Sequence, residues 1–126
     1  MQPAEVLLGD PPAIGEHAGP AALVGSAVAR IEDDDHWMTV GSSRPMEDSW
    51  RIANAELVHW IAQLYDLHVM DAYQLCSQIA KVPVANVVDA NYSVVVKAPK
   101  ALLPAADAFG GMHADLRARA RSLGTT

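Results

Sequence analysis

Residues 47–100 constrain this chain more than any other part, because two helix-period segments lie three residues apart and run into a β-branched stretch. Trp50, Ala53, Leu57, Trp60, Ile61 and Leu64 recur at three- and four-residue steps, which predicts a helix over 46–65 with one buried stripe. Ala72, Leu75, Cys76 and Ile79 share a face of a second helix over 69–81. Pro83 ends that helix by disfavouring helical geometry at Val82. The short connection Asp66-Leu67-His68 favours antiparallel packing of the two.

After Pro83 the pattern changes period. Tyr92, Val94 and Val96 alternate with Ser93, Val95 and Lys97, the two-residue repeat of a strand. Asp89-Ala90-Asn91 interrupts it, so 84–98 reads as a bent strand or a hairpin, with Val87 and Val88 in the first arm. Upstream, 22–31 and 36–40 are strand candidates, and Asp33, Asp34 and Asp35 between them suit a turn. Gly41-Ser42-Ser43-Arg44-Pro45 reads as a loop into the first helix. Its start would be held by Ser43 or Arg44-Pro45, with Glu47 and Asp48 facing the positive end of the helix dipole. The fold class is therefore α+β: two antiparallel helices packed on a small mixed or antiparallel β-sheet. Its core would be Trp50, Leu57, Trp60, Ile61, Leu64, Leu75, Ile79 and the Val87–Val96 strands.

Three regions follow: residues 1–21, weakly patterned; 22–104, carrying the elements above; and 105–126, a tail with room for one short Ala/Arg-rich helix after Gly110-Gly111. With 126 residues, 51% apolar and 19% charged, the chain can build one small core and is not a disordered composition. A net charge of −6 with scattered Lys and Arg gives no nucleic-acid surface. Arg117, Arg119 and Arg121 sit on alternate positions and do not form one stripe, so a solvated helix is expected there. One cysteine excludes an internal disulfide. No signal-peptide pattern opens the sequence, and no apolar run approaches the ~20 residues that span a bilayer.

The candidate chemistry is thin. Cys76 is the sole thiol, but it lies on an apolar helix stripe beside Leu75 and Ile79, the place of a small buried residue. Glu56 and His59 have a Glu-x-x-His spacing, yet the second helix brings no matching pair, so a solvated face is expected. Asp33, Asp34, Asp35 and His36 cannot all converge on one ion if consecutive residues alternate faces. His17, His68 and His113 are isolated, and no Gly-x-Ser-x-Gly elbow occurs. These residues support no metal site, no cofactor site and no catalytic set.

The words HWMTVGSS, AELVHWIAQLYDL, DAYQLCSQIA and ANVVDANYSVVVKAPKALL resemble, in order and spacing, the C-terminal part of the acetamidase/formamidase family over roughly residues 30–103. That resemblance implies hydrolysis of short linear amides, formamide and acetamide among them, to a carboxylate and ammonia. It also implies zinc or another divalent metal in the full-length enzyme, bound by words of its N-terminal part that have no counterpart here, with catalytic residues outside this chain. A cytoplasmic homo-oligomer with a small amide substrate, and no nucleic-acid or membrane partner, goes with it. Thr39, Gly41 and Ser42 match a short word leading into the family's first helix, where a glycine lets the chain turn tightly. Family members often place Ser, Thr or Asp before the second helix. His68 stands there instead, a weaker cap at a cost of about 1 kcal/mol. The alternative from another functional class is a non-catalytic assembly or dimerisation module derived from that family.

Overall fold

A computed structural model describes residues 28–124. Residues 1–21 and the first part of the expected 22–31 strand lie outside that range. Within it the elements run β1 (Ala29–Glu32), β2 (His36–Ser43), α1 (Met46–Tyr65), α2 (Val69–Ile79), β3 (Val84–Asn86), β4 (Tyr92–Pro99) and α3 (Met112–Ser122). Short 3-10 turns occupy Lys100–Leu102 and Phe109–Gly111. The sheet is antiparallel throughout, in the order β1-β2-β4-β3. The fold is α+β, as the change of period implies.

Alternation along β2 and β4 decides which face α1 covers. Trp37, Thr39 and Gly41 on β2, with Val94, Val96 and Ala98 on β4, point inward and are buried. Ala53, Leu57, Val58, Trp60 and Ile61 of α1 are buried with them. Trp37 and Trp60 meet edge to face, ring centroids 5.3 Å apart at 72°, an arrangement that adds to the area they bury. After Asp66, in the left-handed conformation of a helix end (φ 52°), α2 folds back and packs Ala72 and Cys76 into the same core.

Several expectations change. The loop expected at 41–45 is mostly strand, since Gly41, Ser42 and Ser43 pair with Val94, Ser93 and Tyr92. The start of α1 has no side-chain cap. The Asp48 N–H donates to the Pro45 carbonyl, and the buried Ser49 hydroxyl lies 2.7 Å from Tyr92 O and 2.9 Å from Ser43 O. Trp50, expected in the core, is 40% exposed, and Val58 is buried in its place. The buried face of α1 is thus rotated from the stripe drawn through Trp50. The second helix stops at Ile79 and Lys81 pairs with Lys97 instead, because both their N–H and C=O groups bond across to β4. Val87 and Val88 lie in the β3–β4 connection and are exposed. His68 does cap α2, its Nδ1 accepting from the Met70 N–H at 3.1 Å.

Gly41 is required by proximity rather than by a tight turn. A Cβ there would lie 2.1 Å from the Ser49 carbonyl oxygen and 3.0 Å from Ala53 N, both backbone atoms of α1. Gly41→Ala should therefore force α1 off β2 and cost about 3 kcal/mol or more, beyond ordinary overpacking. Urea unfolding followed by tryptophan fluorescence checks this, and an unchanged midpoint would refute the contact.

Candidate functional site

The residues that looked chemical in the sequence are held apart and given structural partners. In the β1–β2 turn, one Asp33 carboxylate oxygen accepts from the Asp35 and His36 N–H groups at 2.8 and 2.6 Å. Asp34 lies 2.7 Å from His113 Nε2 and 3.0 Å from Arg117 Nη2, which fastens α3 to the turn. His113, isolated in sequence, thus has a partner 79 residues away. Nothing in a local pattern could show that pairing.

Glu56 is not on a solvated face. Its carboxylate is half-buried and ion-paired with the Arg30 guanidinium of β1, which also lies 5.4 Å over the Trp60 ring. At the sheet's other corner Lys100 Nζ donates to Glu32 Oε2 at 2.6 Å and to the Asp33 carbonyl at 2.7 Å, above the Trp37 ring. Tyr65 completes this corner. Its hydroxyl accepts from Trp37 Nε1 at 3.2 Å and donates to Pro104 O at 2.9 Å. Burial pushes the Tyr65 phenol above its ordinary value, and the Glu32 charge adds to the rise against the Trp37 hydrogen bond.

Concavities flank the core among the described residues. A cleft of about 570 Å³ with mixed polar and apolar walls lies beside this corner, lined by His36, Trp37, Lys100, Leu103 and Pro104 among others. An apolar groove of about 320 Å³ lies on the outer side of α1 and α2, lined by Trp50, Arg51, Asn54, Ala55, Val58, Met70 and Tyr73. The groove has no nucleophile with an adjoining base. Cys76 faces away from solvent at 1% exposure, and burial pushes its thiol up to about 11.

A zinc-type site can be tested against the donors present. Among the described residues no three His, Cys, Asp or Glu side chains converge. Asp33 is engaged by backbone N–H groups, Asp34 by His113 and Arg117, and Glu56 by Arg30. Glu32 keeps one buried oxygen without a hydrogen-bond partner among the described residues. The Lys100 ammonium on its other oxygen would repel a cation there. The donors of the described residues do not fit a metal.

Thr39, Gly41 and Ser42 also divide. Thr39 is fully buried and its hydroxyl donates to the Ala53 carbonyl at 2.6 Å. Gly41 admits α1, and Ser42 shares a hydrogen bond with Ser93 at 2.8 Å on the exposed side. The first two join the sheet to the helix.

Comparison with solved structures shows what this arrangement is part of. The chain is similar to the crystal structure of acetamidase from Yersinia enterocolitica, at 39% sequence identity and a TM-score of 0.57. The match covers 60% of this chain and 23% of that one. The fold is acetamidase-like. No protein-family model and no curated protein matches the chain. The likeness is at the level of an amidase fold, and this chain spans about a quarter of the neighbour's length. Among the described residues, no helix is long and apolar enough to cross a membrane.

Two measurements test these assignments. Iodoacetamide should modify Cys76 at pH 8 at least about a hundredfold more slowly than a free thiol, the deficit in thiolate that burial imposes. Labelling as fast as in urea-unfolded chain would show that the thiol is accessible. Burial acts to raise the Asp33 carboxyl, but hydrogen bonds from Asp35 and His36, with the His36 and Lys100 charges, hold it below its ordinary value. A lowered folded value stabilises above the unfolded pKa of about 4 and loses that contribution as pH falls through it. The stability difference between the natural chain and Asp33→Asn should therefore shrink as pH falls below about 4. A difference independent of pH across that window would be the contrary result.

Proposed function

We propose that this chain is the C-terminal part of an amide hydrolase of the acetamidase/formamidase kind, acting on short linear amides such as formamide and acetamide. One observation carries the reading: the likeness to the Yersinia acetamidase at 39% identity across 60% of the chain. The catalytic groups are assigned to parts of the enzyme outside the described residues, among which Asp33, Asp34, Glu56 and His113 are engaged in structural pairs. A divalent metal, where such an enzyme holds one, would supply Lewis-acid chemistry. Its ligands would come from outside the described residues. The described residues contribute a helix-on-sheet unit with a cleft at Trp37 and Lys100. A cytoplasmic setting and a homo-oligomeric state belong to the same proposal.

Ammonia release is the assay. The full chain alone should release none from formamide or acetamide, with or without added zinc. A Yersinia acetamidase whose matching quarter is replaced by the aligned part of this chain should retain turnover. A chimera that folds, by its circular dichroism and hydrodynamic size, yet releases no ammonia would refute equivalence of the two regions.

The second reading, a non-catalytic assembly module, is favoured by a different observation. The apolar groove leaves Trp50, Met70 and Tyr73 between 40 and 47% exposed, and clustered apolar exposure of this kind marks interaction surfaces.

A further inference from the structure

The C-terminal helix turns the wrong way for a helix that belongs to its own core. The side of α3 that meets the body is polar, with His113 and Arg117 on Asp34. Its apolar residues Met112 and Leu116, and Leu123 at its C-terminal cap, are left 55%, 56% and 79% exposed. With Arg119 they occupy positions i, i+4, i+7 and i+11, one stripe along the helix. That spacing is how an amphipathic helix presents anchors to a groove.

The same chain offers such a groove between α1 and α2, floored by Val58 and walled by Trp50, Met70 and Tyr73. Of the residues lining it only Arg51 is charged, and Asp48 pairs that cation at 2.8 Å, while Glu47 lies one turn before Trp50 on the same stripe of α1 and Asp71 follows Met70 in sequence. Arg119, central in the α3 stripe, supplies the complementary charge.

The helix cannot reach the groove of its own chain while its pairs hold. Phe109, just before α3, packs on Trp60 with ring centroids 5.5 Å apart, and Trp60 lies ten residues, about 15 Å, along α1 from Trp50 and projects from nearly the opposite side to Val58. We propose that α3 docks into the α1–α2 groove of a second copy of this chain, and that two copies exchange their α3 helices reciprocally. A reciprocal exchange uses the same two patches on both copies and closes as a two-fold dimer. This gives the assembly reading a defined surface and does not depend on amide hydrolysis.

Light scattering on the full chain across a dilution series tests it. The expected mass is twice the 13.4 kDa of one chain. Leu116→Asp and Tyr73→Asp, both at exposed positions, should each raise the dimer dissociation constant at least about tenfold. Mixing the two variants should restore dimer in part. In the mixed pair the natural helix of the Tyr73→Asp chain meets the natural groove of the Leu116→Asp chain, so one contact of the two is intact. That restoration also shows that both variants are folded. A chain monomeric at every concentration would overturn both the proposal and self-assembly. A dimer indifferent to both substitutions, or no restoration on mixing, would leave association standing and remove this surface from it.

Discussion

Everything in this fold hangs on how closely α1 approaches β2. The Ser49 carbonyl sits where a Cβ on Gly41 would be, so helix and strand meet backbone to backbone. Close approach lets short polar groups bridge the two layers: the Thr39 hydroxyl reaches the Ala53 carbonyl, and the Ser49 hydroxyl lies between Ser43 and Tyr92. All three polar contacts are buried or nearly so, where a hydrogen bond is strong and its loss is expensive. The crossing fixes the rotation of α1, and with it which residues reach the core. Trp60 and Ile61 then fall against Trp37 and β4, and Trp50 is turned out into the groove.

The polar residues at the sheet's corners serve the same frame. Arg30–Glu56 and Lys100–Glu32 each place a cation beside a carboxylate and beside the face of a core tryptophan. Removing one partner of such a half-buried pair would leave a charge without compensation. Pairs of this kind clamp the edge strand β1 and the chain after β4 to the core. They also remove from chemical use most of the groups that might have acted as ligands or bases. The functional consequence is that an acetamidase-like fold is present while Glu32, Asp34, Glu56 and His113 are engaged in pairs that hold it together.

The legible parts of the fold were those set by local period. The helix over Met46–Tyr65 and the alternation of Tyr92–Pro99 follow from side-chain spacing, and the β1–β2 turn from three consecutive aspartates. The site was legible mainly as an absence of motif: Cys76 reads as buried from its apolar neighbours, and it is. The sequence misled where polarity depended on distant partners. Glu56 looks solvated because its cation is on another element, and His113 looks isolated because Asp34 is 79 residues away. Gly41 invites a turn, and only the helix crossing above it shows that the missing Cβ matters for packing.

The sequence by itself determined the two helices, the strand period after Pro83 and the likeness to an amide hydrolase, because these rest on period, turn chemistry and word order along the chain. Tertiary structure decided the rotation of α1, the ion-pair map and the outward apolar stripe of α3. Each of those depends on which surfaces meet across the fold, and a hydrophobic stripe about 100° wide leaves room for more than one rotation until the partner backbone is in place.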